Sequence, residues 1–297
     1  MINIRILKDK TAGGIMFLLT VTALLLVVVM GAGLFFKSAP IFEDHSLREL
    51  LFSSNWKPLR GEFGFLPFLA GTLWVTGLAI ILSLPVALLT AIYLTEYGGV
   101  KIKKYIFPAL DILAGLPSVI YGVWGTILIV PWISETLAPH FVEFSTGYTV
   151  LAGGIVLGVM ILPLLTSLFI EIFTSVPEQL RETSMSLGAT KWQTIKRVVL
   201  RKTFPGILAA VILAISRAFG ETIAVLMVCG NMPQIPHTLF DAAYPLPALI
   251  ANNYGEMLSL PLYEAALMFA ALILFAVILM FNLVSRAVLY RIEKKFV

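Results

Sequence analysis

The chain has 297 residues, of which 59% are hydrophobic and 13% charged, with a mean hydropathy of +0.95 and a formal net charge of +4. A soluble domain carries about a quarter of its residues as charge, so this composition excludes a water-soluble enzyme and reads as an integral membrane protein. The single cysteine, Cys229, excludes a disulfide framework and a cysteine metal site, and His45, His140 and His237 are too scattered to form a metal site.

Six stretches are long and apolar enough to cross a bilayer, which takes ~20 helical residues. They run over 13–36, 65–93, 106–131, 148–174, 206–228 and 263–288, and they use up the chain as one transmembrane domain, 1–297. The expected fold class is all-α, a polytopic six-helix membrane protein. The first stretch, MFLLTVTALLLVVVMGAGLFF, is longer than the ~7–15 apolar residues of a signal peptide and reads as a retained helix.

Orientation follows from the basic residues. Sixteen of the 21 lysines and arginines fall on one side: at the N-terminus, in loop 94–105, in loop 175–205 and at the C-terminal end. Four fall in the opposite loop 37–64, balanced by Glu43, Asp44, Glu49 and Glu62. Both termini are therefore expected in the cytoplasm. The one basic residue left over is Arg217, inside the fifth stretch.

Three loops are large enough to carry a role. Loop 37–64 is expected to be external; it contains Trp56 and offers a docking surface for a partner. Loop 175–205 is internal. There, Ser175 with Glu178 fits a capping box, Pro177 suits a first helical turn, Gly188 suits a left-handed helix end, and Thr190 with Gln193 fits a second capping box. Two short helices joined at a glycine are expected, serving either as a basic anchor on lipid headgroups or as a rigid protrusion. Loop 229–262 is external, rich in proline and asparagine, and either folds back toward the membrane or forms a plain structured loop.

The fifth stretch contains AISRAFGETIA. Arg217 lies eleven residues beyond Gly206, about 16 Å deep at ~1.5 Å per residue, near the centre of the hydrocarbon. An arginine there costs ~2.5–3.5 kcal/mol on insertion scales, so it does not face lipid. Ala210, Ala214, Gly220, Glu221 and Ala224 share its helical face, and small residues mark a packed stripe. Two readings stand. Arg217 and Glu221 form a buried ion pair that fixes packing, or Arg217 relays an oxyanion while Glu221 accepts a hydrogen bond from a protonated one such as phosphate. Thr222 adds a hydroxyl beside Glu221. Gly115, Pro117 and Ser118 loosen the third stretch near its middle, as a substrate-site break or a packing kink. Asp111 and Glu171, near the cytoplasmic ends, are either solvated or part of the pathway.

RETSMSLGATKWQTIKRVVL resembles the loop signature of ABC-importer permease subunits. Glu182 matches the signature glutamate, Thr183 and Ser184 replace its two alanines, and Gly188 matches its glycine. Val198 and Leu200 match apolar positions, while Arg201 stands where the family has proline. LPFLAGTL, AIYLTEYG, DILAGLPSVIYGVWG and SRAFGETIAVLMVCGN are similar to phosphate-specific importer permeases, of the PstC type rather than the PstA type.

The resemblance implies a six-helix ABC type I importer permease with a cytoplasmic coupling helix, in the cell inner or plasma membrane. It implies a PstA-type sister permease, a PstB-type ATPase dimer and a PstS-type phosphate-binding protein as partners, with inorganic phosphate and the lipid bilayer, and no nucleic acid. Arg217, Glu221, Thr222 and Ser118 are the expected pathway residues; Glu182, Thr183, Ser184, Gly188, Ala189 and Trp192 are the expected ATPase-coupling residues. The sequence has no GxxxxGK[ST] loop, so no cofactor is expected on this chain, and ATP and Mg belong to the partner ATPase. Rival readings are a sulfate or molybdate permease, and a membrane signalling or assembly subunit that reports phosphate supply.

Overall fold

The computed structural model describes residues 4–255 and 260–296. Among these residues, six helical stretches are long and apolar enough to cross a bilayer: Lys10–Ser38, Leu66–Tyr97, Ser118–His140, Val150–Thr174, Lys191–Phe219 and Pro261–Val288. The chain is an all-α, multi-pass membrane protein.

Helix α1 (Ile4–Ser38) leads into two short helices, α2 (Ile41–Asp44) and α3 (Leu47–Phe52). An antiparallel ribbon follows, β1 (Trp56–Lys57) paired with β2 (Glu62–Phe63). The half-buried Trp56 ring packs against Phe63, Phe65, Phe68 and Tyr263 at centroid distances of 4.8–5.9 Å, a cluster of aromatic rings that ties the ribbon to the helices beginning at Leu66 and Pro261. The residue this loop holds out to solvent is Leu59, 88% exposed.

The centre of the bundle is the pair α4 (Leu66–Ile92) and α7 (Val150–Thr174). Burial of apolar surface does not drive helices together in lipid, so close approach of small residues must. Helix α7 supplies it: a Cβ on Gly154 would stand 2.5 Å from Leu78, and one on Gly158 would stand 3.2 Å from the Ala79 carbonyl oxygen. Helix α13 (Pro261–Phe296) packs on α10 (Leu200–Phe219), and α1 packs along α13, where Gly31 receives the ring of Phe275. The apolar window of α1 is otherwise unburied within the chain, as suits a helix at the lipid boundary.

Two expected spans are interrupted. The stretch 106–131 is split into α5 (Val100–Gly115) and α6 (Ser118–Trp124), and the helix that crosses continues from α6 to His140. The stretch 206–228 does not start its own helix. It continues from α9 (Lys191–Thr194) through a π-helical turn, Ile195–Val199, into α10, then breaks before α11 (Ile223–Val228). The second helix of the internal loop is therefore the cytoplasm-expected end of span five, not a separate unit.

Of the two readings for loop 229–262, folding back is what occurs. Helix α12 (Leu246–Asn253) buries Leu246, Pro247, Ala248 and Leu249, and its first N–H donates to the buried Thr72 hydroxyl of α4 at 2.8 Å. Residues 256–259 of the loop lie outside the described residues.

Candidate functional site

Two helix breaks lie side by side. The first follows from Pro117, which lacks an N–H and disfavours helical backbone at the residue before it. Leu116 accordingly sits at φ −68°, ψ 133°, and Pro117 at φ −59°, ψ 142°. Helix α6 restarts at the half-buried Ser118. One turn on, the Tyr121 hydroxyl donates to the Leu113 carbonyl oxygen at 2.7 Å, across the break.

The second break needs no proline. Helix α10 ends at Phe219, Gly220 and Thr222 leave the helical ladder, and α11 begins at Ile223. The Thr222 hydroxyl donates to the Gly220 carbonyl oxygen at 3.2 Å, and Glu221 Oε1 lies 3.5 Å from the Ala224 N–H in the first turn of α11. Local side-chain bonds thus take up backbone groups that the break releases.

Helices α6 and α11 are in close contact. A Cβ on Gly122 would meet Met227 Sδ at 2.6 Å and Ala224 Cα at 3.3 Å, and the Thr126 hydroxyl reaches the Met227 carbonyl oxygen at 3.3 Å. Ser118 and Tyr121 belong to one of these packed helices, and Glu221 and Thr222 to the break that precedes the other. The Arg217 guanidinium lies near enough to Tyr121 to act on it electrostatically.

Arg217 is not in the packed stripe. Ala210 and Ala214 are buried as expected, but the stripe continues through Ala218, and Arg217 is exposed on the chain's own surface. No ion pair joins Arg217 to Glu221, and among the described residues no carboxylate pairs with Arg217. The i,i+4 relationship read from the sequence presupposes an unbroken helix, and the break at Gly220 removes it. Tyr121, at the same level, gave no signal of its own in the sequence.

The internal hairpin is the second candidate region. Helix α8 (Glu178–Ser186) ends in a Schellman motif: Gly188 at φ 84° donates to the Met185 carbonyl oxygen at 2.9 Å, and Ala189 N–H to that of Ser184 at 3.2 Å. Thr190 and Gln193 form a full capping box that opens α9. The box expected at Ser175 does not form. Ser175 closes α7 and donates to the Ile172 carbonyl oxygen, and Pro177 precedes α8 as an uncapped N-cap residue. Pro177 keeps Val176 from the helical conformation that an N-cap at Ser175 requires.

Ser184 and Thr194 share a hydroxyl hydrogen bond of 2.9 Å, which ties α8 to α9. Glu182, Thr183, Gly188 and Trp192 are exposed, and Ser184 and Ala189 are half-buried. Around them Met185, Leu187 and Trp192 present apolar surface, with Leu187 83% exposed.

Sequence reading missed the contact that holds this hairpin to the bundle. Arg181 donates from Nε to Glu96 Oε1 at 3.1 Å and to the carbonyl oxygens of Val176 and Phe173 at 2.6 and 2.8 Å. Nothing local in the sequence marks Glu96 for this role. The two carboxylates expected near the inner ends, Asp111 and Glu171, line one groove of about 450 Å³ between α5 and α7, with Ser167 and Thr174.

Comparison with known proteins decides the class. Residues 83–296 match the family described as binding-protein-dependent transport system inner membrane component. The chain belongs to that family. This permease is 34% identical to the phosphate transport system permease protein PstC of Mesorhizobium japonicum, over 82% of its own length and 79% of the relative's. It is 33% identical to the protein of that name from Pasteurella multocida, over 92% and 88%. It is 42% identical to the probable ABC transporter permease protein YqgH of Bacillus subtilis over 70% of its own length, and spans 66%, just under two thirds, of that relative. In fold it is similar to a permease chain of a bacterial alginate ABC transporter, with TM-score 0.61 at 16% identity, covering 98% of this chain and 99% of that one.

The chain is thus an ABC importer permease subunit with six candidate membrane-spanning helices. Both candidate regions fall inside the matched segment, whereas α1 and the Trp56 ribbon precede it. Among the described residues no cluster of three or more His, Cys, Asp or Glu is placed to hold a metal ion.

Proposed function

We propose that this permease passes inorganic phosphate from a PstS-type binding protein to the cytoplasm by alternating access. Its partners are a PstA-type sister permease and a PstB-type ATPase dimer, which binds and hydrolyses ATP with Mg. Its termini and the α8–α9 hairpin lie on the cytoplasmic side, as the distribution of lysine and arginine supports. The chain works as one transmembrane domain in the cell membrane and carries no catalytic group of its own.

The observation that carries this reading is the Arg217 side chain, in the last turn of α10 within the apolar span, exposed on the chain's surface and free of a carboxylate partner among the described residues. Lipid does not accept such a charge, so this face borders a sister subunit or an aqueous path. A guanidinium keeps its charge there and offers a planar fork of donors matched to phosphate oxygens. Two interrupted helices packed on each other in the same part of the bundle suit a substrate path, as broken helices do in transporters. Glu221, held at the start of α11 and not on Arg217, accepts a hydrogen bond from an oxyanion that still carries a proton and repels one that does not.

The exposed apolar tip of the hairpin supports its role as the ATPase-docking element, because Leu187, Met185 and Trp192 have no covering within the chain. The assembled complex in liposomes tests the reading. Phosphate-loaded binding protein should drive ATP hydrolysis together with phosphate uptake, and excess sulfate should leave uptake unchanged. Sulfate competition would replace phosphate by another oxyanion, and ATP hydrolysis without flux would make the chain a sensor.

A further inference from the structure

Within the α8–α9 hairpin, α9 is rooted in span five, whereas α8 is tied mainly to α9. Helix α8 packs on α9 and the π-helical turn after it, and has no extended packing on α4 or α7. A cavity of about 500 Å³, lined by Lys103, Met185 and Thr194 among others, separates the hairpin from the bundle. Displacement of the hairpin reaches span five directly, because α9 runs on into α10, but it reaches α4 and α7 through a few polar contacts, and these converge.

Both arms of the hairpin grip the same short segment, the π-helical turn Tyr93–Tyr97 that ends span two. From α8, Arg181 reaches Glu96 with two guanidinium nitrogens, each 3.1 Å from Oε1, and both side chains are largely buried, at 14% and 8% exposure. From α9, Lys191 Nζ stands 4.8 Å above the ring of Tyr97. The same arginine holds the carbonyl oxygen of Phe173 in the last turn of α7 and that of Val176 just beyond it. A π turn is a local irregularity that re-aims side chains; here it sends Glu96 and Tyr97 to the two arms, closed on itself by a 2.6 Å bond from Gly98 N–H to the Tyr93 carbonyl oxygen.

We propose that the turn Tyr93–Tyr97 is the receiving end of the coupling hairpin, with Arg181–Glu96 and Lys191–Tyr97 carrying hairpin movement into α4, and Arg181 carrying it into α7. This rests on the reading of the hairpin as the ATPase-docking element. Helices α4 and α7 are the tightly packed central pair, so a push at this clamp moves the core of the bundle as one body. A salt bridge between largely buried groups suits such a relay, since it holds direction and distance, and breaking it on one side leaves an uncompensated charge. Glu96 and Arg181 are positioning residues; neither touches the transported solute.

A purely structural role for Arg181 would be to cap α7, and the test separates the two because Glu96→Gln leaves the carbonyl contacts in place. The complete complex is measured in liposomes for ATP hydrolysed per solute imported, and by hydrogen exchange with and without a nucleotide trapped on the ATPase subunits. With Glu96→Gln, the ATP consumed per solute rises about tenfold, within the range of single-residue coupling changes, while complex abundance holds. Nucleotide-dependent exchange changes remain in 178–194 and disappear from 91–97. Tyr97→Leu, which removes the ring without touching a charge, shifts both readouts in the same direction. An unchanged ATP-to-solute ratio, with exchange changes still reaching 91–97, overturns the proposal even if both rates fall with abundance. The exchange readout needs no particular solute: a wild-type complex that relays the change to 91–97 without importing phosphate refutes the phosphate reading alone.

Discussion

Arg217 and Glu221 lie four residues apart on what the sequence presents as one helix, yet they form no ion pair, because α10 ends at Phe219 and Glu221 belongs to the break before α11. Glu221 faces the first turn of the next helix, with Oε1 3.5 Å from Ala224 N–H. The two charges therefore act separately, and substitutions at the two positions have separable effects. Glu221→Gln keeps an acceptor at the start of α11 and removes the charge. It should weaken phosphate uptake while leaving complex abundance unchanged, and loss of assembly would return Glu221 to a structural role.

The contact between the broken helices depends on Gly122. A side chain there meets Met227 Sδ, which can swing aside, and then Ala224 Cα, which cannot. Gly122→Val should destabilise the folded chain by about 1–3 kcal/mol through overpacking, with Gly122→Ala milder. Thermal unfolding of the detergent-solubilised complex checks the order of the two variants.

Thr72 ties the folded-back α12 to α4. Its hydroxyl donates to the Phe68 carbonyl oxygen at 2.6 Å and accepts from Leu246 N–H at 2.8 Å, all buried. Thr72→Val keeps the shape but leaves a buried donor unpaired, a loss of about 1–3 kcal/mol. Hydrogen exchange should rise at Leu246, while Thr72→Ser retains protection there.

At Gly188 the conformation, not the space, is restrictive. A Cβ added there would meet no atom within 4 Å, but φ is 84°. Alanine costs roughly 1–2 kcal/mol in left-handed backbone, and asparagine less. Gly188→Ala should reduce co-purification of the ATPase subunit more than Gly188→Asn does, and equal retention of both would show that the turn is not read by the partner.

The loop between α11 and α12 carries a pH-sensitive brace at Asp241. Partial burial pushes its carboxyl up, but hydrogen bonds from the Thr238 N–H and hydroxyl and from the His237 N–H outweigh that, aided by the His237 charge, and hold it below the ordinary carboxylate value. A depressed folded value means that the brace stabilises fully above the unfolded carboxyl's 3.8 and weakens as pH falls through the lower folded value. Proteolysis within 236–241 should stay slow from neutral pH down to that region and rise below it, and Asp241→Asn should remove the pH dependence.

What was legible in the sequence was mostly local. The Thr190–Gln193 box and the Gly188 turn are set by residues three or four apart, and both form as expected. The break at Pro117 was visible because proline cannot continue the ladder. The break at Gly220 was not, because a glycine within an apolar helix is tolerated and only packing against α6 selects the interrupted form. Of the rings around Trp56, Tyr263 comes from α13, far along the chain, and no local pattern pairs the two. The Arg181–Glu96 contact spans 85 positions, and no local pattern encodes it.

The anion role of Arg217 is tested most directly by radiolabelled phosphate uptake in cells whose complex carries Arg217→Gln, with complex abundance measured alongside. The account predicts uptake at the level of cells lacking the transporter, with the complex assembled in normal amount. Uptake equal to wild type would contradict it.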